Sequence, residues 1–258
     1  MEMLRYANGV PSWVDHASPD PAAAAAFYAG LLGWDAPPGP AETGGYRVCT
    51  LRGHPVAGIG PQTSPGPVAW ASYINVDDAA ASAARAEAEG AKVLAGPMAV
   101  DGEGRFAMVS DPLGARFGIW EPGRHVGATL VNEPGTLCWN ELLTTDVEAE
   151  IDFYHAVFDW EAKRSADYTE FRLGERTIAG MMLKPDSVPA EVPPFWSVYF
   201  AVADLEAGLA RAAELGGSVL MGPAQTPEGP FAVLRDPLGA TFNLIAMVPV
   251  SPTGAAGA

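Results

Sequence analysis

One segment of this chain occurs twice, and the duplication limits the possible folds more than any other feature. PSWVDHASPDPAAAAAFYAGLLGWDA near the start aligns with LCWNELLTTDVEAEIDFYHAVFDWEA in the middle, with Trp13 and Trp139 in matching positions 126 residues apart. A later pair of segments carries the same DPLGA turn, at Asp111 and at Asp236. Self-similarity at this spacing indicates two duplicated domains, each able to bury its own core.

The positions of the repeats predict where the domains begin and end. We expect a first domain over residues 8–121 and a second over residues 136–248. The segment 122–135 is rich in glycine and proline, which is typical of a linker between domains. The small-residue segment 249–258 is expected to be a disordered tail.

A weaker repeat lies inside each half, in the order strand, helix-capping aspartate, amphipathic helix and short strands. In the first half it predicts helices over 21–32 and 78–89. Asp20 and Asp146 stand where a carboxylate accepts hydrogen bonds from the free N–H groups at a helix start. The chain is therefore predicted to contain four similar units of an α+β fold.

Composition excludes several classes of partner. The chain of 258 residues has 31 acidic and 15 basic side chains, a formal net charge of −16. This field repels phosphate backbones and anionic lipid surfaces, so neither nucleic acid nor a membrane is expected as a partner. Two cysteines are too few for a disulfide framework, and the first residues lack a signal-peptide pattern. We expect a cytoplasmic protein.

The repeated pattern, an Asp-capped helix ending in FY and GW followed by strands around DPLGA, resembles the vicinal-oxygen-chelate superfamily. This superfamily contains glyoxalase I, extradiol dioxygenases and bleomycin-resistance proteins. The stretch RHVGATLVNEPGTLCWNELLTTD is similar to a two-domain subgroup that includes a mycobacterial culture-filtrate antigen and actinobacterial accessory proteins of antibiotic pathways. The resemblance implies four βαβββ units paired into two open, incomplete barrels. It also implies that two domains in one chain replace the dimer of single-domain relatives, giving a monomer or a homodimer.

The metal site that the resemblance implies is not matched by the residues here. Its first-strand ligand position falls on Trp13 and Trp139, and the later strands place Ala71, Gly118 and Asn243 at equivalent positions. A divalent cation requires two to four convergent nitrogen, oxygen or sulfur ligands. We therefore predict neither a metal site nor a cofactor, and the fold alone does not carry over an activity.

An acid beside a tryptophan is the best candidate for chemistry. Asp15 shares a strand face with Trp13, and Glu141 shares a face with Trp139, because side chains alternate along a strand. An acid partly buried against an indole has a raised pKa and can exchange a proton or fix a polar group of a ligand. The alternative is a structural acid, bonded to backbone or paired with an arginine such as Arg116.

Further aromatic and polar residues are predicted to line the cavities. Tyr73 and Tyr199 recur 126 residues apart and describe a pocket for a flat, mostly apolar ligand, or else plain core. His54, in the turn Arg-Gly-His-Pro, is a candidate general base or a solvated turn residue. The remaining candidate ligand-binding residues are Arg116, Trp120 and Asn243.

Three functions are compatible with these residues. The first is a metal-independent enzyme or accessory protein that acts on a hydrophobic aromatic metabolite, as in antibiotic biosynthesis. The second is a protein that binds and sequesters a drug, for which the acidic charge suits a cationic ligand. The third is a metal-dependent lyase or dioxygenase whose ligands lie elsewhere.

Overall fold

The computed structural model describes residues 1–63 and 66–248, so the predicted tail 249–258 lies outside the described residues. Helices are α1 (Pro21–Leu32), α2 (Ala79–Ala88), α3 (Val147–Phe158) and α4 (Leu205–Glu214). Strands of the first half are β1 (Pro11–Ser18), β2 (Arg47–Leu51), β3 (His54–Pro61), β4 (Ala69–Asn75), β5 (Lys92–Val100), β6 (Gly104–Ser110) and β7 (Arg116–Pro122). Those of the second half are β8 (Leu137–Thr144), β9 (Glu161–Arg164), β10 (Thr169–Leu173), β11 (Arg176–Leu183), β12 (Phe195–Ala201), β13 (Ser218–Thr226), β14 (Gly229–Arg235) and β15 (Thr241–Ile245).

The helices begin at the aspartates that the sequence indicates. The Asp20 carboxylate accepts hydrogen bonds from the backbone N–H groups of Ala22 and Ala23, and Asp146 does the same at the start of α3. Helix α1 ends at Gly33, whose φ of 77° is in the left-handed region that glycine adopts without strain. These caps fix each helix relative to the strand before it.

Each half forms one sheet, of seven and eight strands, and neither sheet closes into a barrel. The strand orders are β2-β3-β1-β4-β7-β6-β5 and β13-β14-β15-β12-β8-β11-β10-β9. Within each sheet two units meet through an antiparallel pair, β1 with β4 and β8 with β12. The α+β fold of paired units in two open sheets is thus confirmed.

Three of the four units have the complete βαβββ order, and the first lacks one strand. Where the third unit has β9, the first has a single bridge between Asp35 and Thr50. Pro37, Pro38 and Pro40 follow Asp35, and proline has no N–H group to donate to a strand partner. The prolines explain why a longer strand does not form here.

The two halves pack through their inner faces, where strands β4 and β12 meet and the helices pair across the boundary. Helix α1 packs with α4 of the other half, and α2 with α3. Two large apolar clusters fill these contacts, and each contains buried side chains from both halves. The opposite face of each sheet, called the outer face below, points away from the other half.

Two buried polar networks cross the boundary between the halves, and Asp236 is the centre of the first. His16 Nε2 lies 2.7 Å from Asp236 Oδ2, and both side chains are almost completely buried. The hydroxyl of Tyr28 also donates to Asp236 Oδ2 at 3.0 Å, and Trp70 Nε1 donates to that hydroxyl at 2.8 Å. Hydrogen bonds from His16 and Tyr28 outweigh burial and lower the pKa of Asp236.

Asp111 is the centre of the second network. Tyr154 donates to Asp111 Oδ2 at 3.1 Å, and Trp196 Nε1 donates to Tyr154 at 2.9 Å. In place of a histidine, this network contains Glu150, which is buried. Burial and the negative charge of Asp111 raise the pKa of Glu150 to about 8. The second network therefore joins two carboxyl groups, whereas the first network joins a carboxylate to an imidazole.

None of the described helices has the length and apolar content needed to cross a membrane.

Candidate functional site

The outer face of each half carries a cluster of one acid, two tyrosines and one tryptophan. In the first half, strand alternation puts Trp13 and Asp15 of β1 on this face, and the antiparallel register sets Tyr73 of β4 opposite Trp13. Tyr46, the residue before β2, completes the cluster through hydrogen bonds. We call these four residues the first acid cluster.

The first acid cluster contains a short chain of hydrogen bonds that ends at the carboxyl group of Asp15. Tyr73 Oη donates to Asp15 Oδ2 at 2.9 Å, and Tyr46 Oη donates to the same oxygen at 3.4 Å. Trp13 Nε1 donates to Tyr46 Oη at 2.9 Å. The other carboxyl oxygen, Asp15 Oδ1, forms no hydrogen bond with another described residue, since both phenols donate to Oδ2.

Glycines allow the two tyrosine rings to lie flat against the sheet. A Cβ atom on Gly58 would lie 1.8 Å from Tyr46 Oη, and one on Gly118 would lie 2.0 Å from the Tyr73 ring. Non-bonded atoms do not approach this closely, so any larger residue at either position would displace the tyrosine ring. The absence of side chains at these two positions thus sets the positions of both phenols.

Electrostatics at Asp15 favour proton exchange near neutral pH. Burial raises the pKa of Asp15 to about 6, while the Tyr73 hydrogen bond and the nearby His16 charge oppose the rise. Burial and the adjacent Asp15 charge raise the pKa of Tyr46 and of Tyr73 well above the usual phenol range. Both phenols therefore stay protonated and act as donors, while the acid is the group that titrates.

The second half repeats the arrangement with Trp139, Glu141, Tyr168 and Tyr199, the second acid cluster. Tyr199 Oη donates to Glu141 Oε2 at 2.7 Å, and Trp139 Nε1 donates to Tyr168 Oη at 2.9 Å. Burial raises the pKa of Glu141, opposed by hydrogen bonds from both tyrosines. A Cβ atom on Gly180 would lie 1.8 Å from Tyr168 Oη, as at Gly58.

His125, Ala128 and Val131 close one end of the first acid cluster. The His125 ring meets the Trp13 ring edge-on with centroids 4.4 Å apart, and Trp120 Nε1 donates to the His125 carbonyl at 2.9 Å. Ala128 and Val131 pack with Trp13, Trp120 and Tyr73 in a buried apolar cluster. Trp13 and Trp120 therefore form the closed end of this site.

The other predicted site residues have different surroundings. His54 lies at the start of β3, 3.5 Å from Thr129 Oγ1 and 3.9 Å from Glu2 Oε1, and forms no hydrogen bond with a member of the first acid cluster. Arg116 is exposed and forms no ion pair with Asp15. Asn243 is buried and donates to Ser197 Oγ at 2.6 Å. The structure therefore brings together Trp13, Asp15 and Tyr73, but not His54.

Tyr46 and Tyr168 are the two cluster members that the sequence analysis did not find. They lie 122 residues apart, whereas the tryptophans and acids lie 126 apart, because the connection after the first helix of each half differs in length. The segments that follow them restore the match, with Leu51 and Leu173 also 122 apart. A search for a second constant offset would have identified both tyrosines.

The residues of these clusters do not fit a divalent metal. Each cluster offers one carboxylate, and the space beside it is filled by a tyrosine hydroxyl that lies directly over Gly58 or Gly180. Among the described residues, no three His, Cys, Asp or Glu side chains converge as a metal-binding group. A stable site requires more such donors, so no step through a metal is assigned to these residues.

Two family models match the chain, one in each half. A glyoxalase-like domain matches residues 13–120, and the Glyoxalase/Bleomycin resistance protein/Dioxygenase superfamily matches residues 131–244. One curated relative is CFP32 of Mycobacterium tuberculosis, which is named as a provisional glyoxylase. It is 41% identical over 257 residues, which cover 95% of this chain and 97% of that protein. The anthracycline biosynthesis protein DnrV of Streptomyces peucetius is 39% identical over 280 residues, covering 99% and 100%.

Solved structures share the fold at low sequence identity. The Mn(II)-bound glyoxalase from Novosphingobium aromaticivorans superposes with a TM-score of 0.66 at 17% identity, over 93% of this chain and 83% of that one. The 2,3-dioxygenase LapB from Pseudomonas sp. KL28 gives 0.65 at 14% identity, over 95% of each chain. From these matches and the duplicated domains, the chain belongs to the glyoxalase/bleomycin resistance protein/dioxygenase superfamily.

Proposed function

We propose that this chain acts without a metal on a flat aromatic small molecule, exchanging a proton with it through the acid of an outer-face cluster. The observation that carries this proposal is the acid itself: Asp15 accepts both phenol hydroxyls on one oxygen and leaves Oδ1 free. The indole of Trp13 supports one of those phenols. This set of groups can hold a carboxyl group in place while its proton leaves and returns.

The chemistry follows from the acid's pKa. With a pKa of about 6, Asp15 is mostly ionised at neutral pH but can be protonated at small cost. As a carboxylate it takes a proton from a hydroxyl of the ligand, and as an acid it returns one. Tyr46 and Tyr73 stabilise the ionised form by hydrogen bonding, so removing either phenol should make the acid harder to ionise.

The proposed ligand class rests on the walls of the cluster and on the relatives. Aromatic rings beside one polar group describe a pocket for a flat, mostly apolar molecule. Two relatives that span the whole chain are anthracycline biosynthesis proteins, 39% and 36% identical. Anthracyclines are fused-ring molecules with phenol and quinone oxygens, which are groups that an acid such as Asp15 can bind.

A second candidate is a protein that binds and sequesters a drug. The formal charge of −16 favours this function, because such a field attracts a cationic ligand. The two functions differ in what Asp15 does. A sequestering protein requires its overall charge and tight binding, whereas the proposed function requires a proton to move between Asp15 and the ligand.

The test uses alizarin red S, a sulfonated hydroxyanthraquinone whose absorption spectrum reports whether its phenol is ionised. The purified chain is titrated with the dye in buffer containing EDTA, from pH 5 to pH 8. We expect binding with a shift of the phenol's ionisation, and Asp15→Asn should remove the shift while leaving the fold intact by circular dichroism. Tight binding with an identical spectrum in Asp15→Asn would favour sequestration, and the absence of any binding would overturn the proposed function.

A further inference from the structure

The two outer faces carry similar acids, but the side chains in the row next to each acid differ in size. Strand register aligns Gly58, Asp15 and Ala71 in one row of the first sheet. The next row, two residues away on each strand, contains Gly60, Ala17 and Ala69; Ala69 precedes Ala71 because β4 runs antiparallel to β1. All three side chains of that next row are small, and they share the face of the acid because strand side chains alternate.

The second sheet has the same rows with larger side chains. Its acid row is Gly180, Glu141 and Ser197. The next row is Met182, Leu143 and Phe195, which occupies the positions of Gly60, Ala17 and Ala69. Three of the bulkier apolar side chains thus lie where the first half has a glycine and two alanines.

The acids and their neighbours on the central strands differ in exposure between the halves. In the first half, Asp15, Ala17 and Ala71 are half-buried, and Ala69 is exposed. In the second half the matching Glu141, Leu143 and Ser197 are only 7%, 9% and 8% exposed. The first half is therefore somewhat more exposed at Asp15 and Ala71 than the second half at Glu141 and Ser197, whereas Gly58 is buried beneath Tyr46.

A cation also distinguishes the two faces. Arg116 lies on the outer face of β7, two residues before Gly118, and Thr241 is its counterpart in the second half. Arg116 is exposed, and it forms no ion pair within residues 1–63 and 66–248. An anionic or electron-rich ligand edge at this position would gain a charge-assisted hydrogen bond.

We infer that the ligand site belongs to the first half alone, where a flat hydroxylated aromatic ring system lies on Ala17, Ala69 and Ala71 with one hydroxyl at Asp15 and an anionic edge toward Arg116. This inference rests on the proposed function and adds the location and the specificity-determining residues. On this face the three alanines present only methyl groups, and the Tyr46 ring borders them at Gly60, where a Cβ atom would lie 2.8 Å from that ring. His125, Ala128 and Val131 pack at Trp13 and close that end of the site.

The second acid cluster then has a structural role. Met182, Leu143 and Phe195 in the next row place large apolar side chains beside Glu141, where the first half has Gly60, Ala17 and Ala69 beside Asp15. Glu141 accepts a hydrogen bond from Tyr199, and Trp139 donates one to Tyr168. These two bonds connect β8 with β12 and with the segment before β10. The duplicated halves have diverged in the row beside the acid while keeping the acid cluster itself.

The protein's own second half supplies the test. Ala17→Leu/Ala69→Phe gives the first sheet the cross-strand pair that Leu143 and Phe195 form in the second. Binding of alizarin red S in EDTA buffer is measured by calorimetry. We expect one equivalent bound by the unaltered chain and an affinity at least about tenfold weaker in this variant. The matched variant Leu143→Ala/Phe195→Ala should bind within about twofold of the unaltered chain.

The outcomes separate this inference from the proposed function. Normal binding by Ala17→Leu/Ala69→Phe, or two equivalents bound by the unaltered chain, would overturn the location while leaving a binding protein. No binding by the unaltered chain would overturn the proposed function itself. Should the filled variant not fold, hydrogen exchange of the unaltered chain decides: we expect dye to protect peptides from 11–18 and 69–75, and protection of 137–144 and 195–201 instead would contradict the inference.

Discussion

The first and second halves keep the same acid cluster but differ in its neighbours. Asp15 lies beside a row of small residues and is half-buried, whereas Glu141 lies beside a row of large apolar residues and is 7% exposed. A repeated motif in a duplicated chain is therefore weak evidence for a repeated function. We propose that the residues two positions away from the acid row on each strand decide which copy admits a ligand.

The boundary between the halves shows the same pattern of one shared framework with two chemistries. Both DPLGA turns use their aspartate to accept three backbone N–H groups and a tyrosine hydroxyl of the other half. Asp236 is joined by His16, whose counterpart is Leu142, and Asp111 by Glu150, whose counterpart is Ala24. The first network joins an imidazole to a carboxylate, and the second brings two acids together.

The largest expected difference comes from removing these two aspartates. Asp236→Ala should lower the free energy of unfolding by roughly 3–5 kcal/mol, because it leaves a buried His16 without its partner. Asp111→Ala should cost less, roughly 1–3 kcal/mol, since it removes the charge that opposes Glu150. Urea unfolding at pH 7 compares the two. Because both variants lose the same three turn hydrogen bonds, equal losses would contradict the distinction.

Glu150 should make the stability of the protein fall as pH rises. Its raised pKa means that the folded chain retains a proton that the unfolded chain has already released, so this stabilisation is complete below the usual carboxyl pKa and is lost as pH rises through about 8. Glu150→Gln should therefore be more stable than the unaltered chain at pH 8, by roughly 2–4 kcal/mol, and nearly equal at pH 4. Thermal unfolding across this range measures it, and parallel curves for the two proteins would show that Glu150 has the same pKa in the folded and the unfolded chain.

Tyr73 should set the pH at which Asp15 titrates. Tyr73→Phe removes the stronger hydrogen bond to the carboxylate, so the pKa of Asp15 should rise above about 6, by about 1 unit. The pH midpoint of the alizarin red S spectral shift should move upward with it. The equivalent variant Tyr199→Phe is the control and should leave that midpoint unchanged. An unchanged midpoint in Tyr73→Phe would remove Asp15 from the titration.

The smallest expected effect concerns the tyrosines that support the tryptophans. Tyr46→Phe and Tyr168→Phe each remove one acceptor from an indole N–H, at a cost of about 1 kcal/mol to unfolding. Only Tyr46→Phe should weaken dye binding, since only the first acid cluster meets the ligand. Equal effects of both variants on dye affinity would mean that the two clusters are equivalent.

Local signals in the sequence were enough to predict the repeat, the helix caps and the shared face of Trp13 and Asp15. Alternation along a strand and capping by aspartate depend only on neighbours in the chain. Tyr46 was missed because its repeat has a different offset, and the pairing of His16 with Asp236 joins residues 220 positions apart. No local pattern encodes a contact at that separation. The packing of His125 against Trp13 was likewise visible only in the structure. The row of large side chains beside Glu141 could be identified only from the strand register.

The most direct test compares Asp15→Asn with Glu141→Gln in the alizarin red S titration from pH 5 to pH 8. Each substitution neutralises one acid and keeps its size, so the two proteins differ only in which half is altered. We predict that Asp15→Asn abolishes the change in the dye's ionisation while Glu141→Gln retains it. Loss of the change in Glu141→Gln, with Asp15→Asn unaffected, would contradict the assignment of the site to the first half.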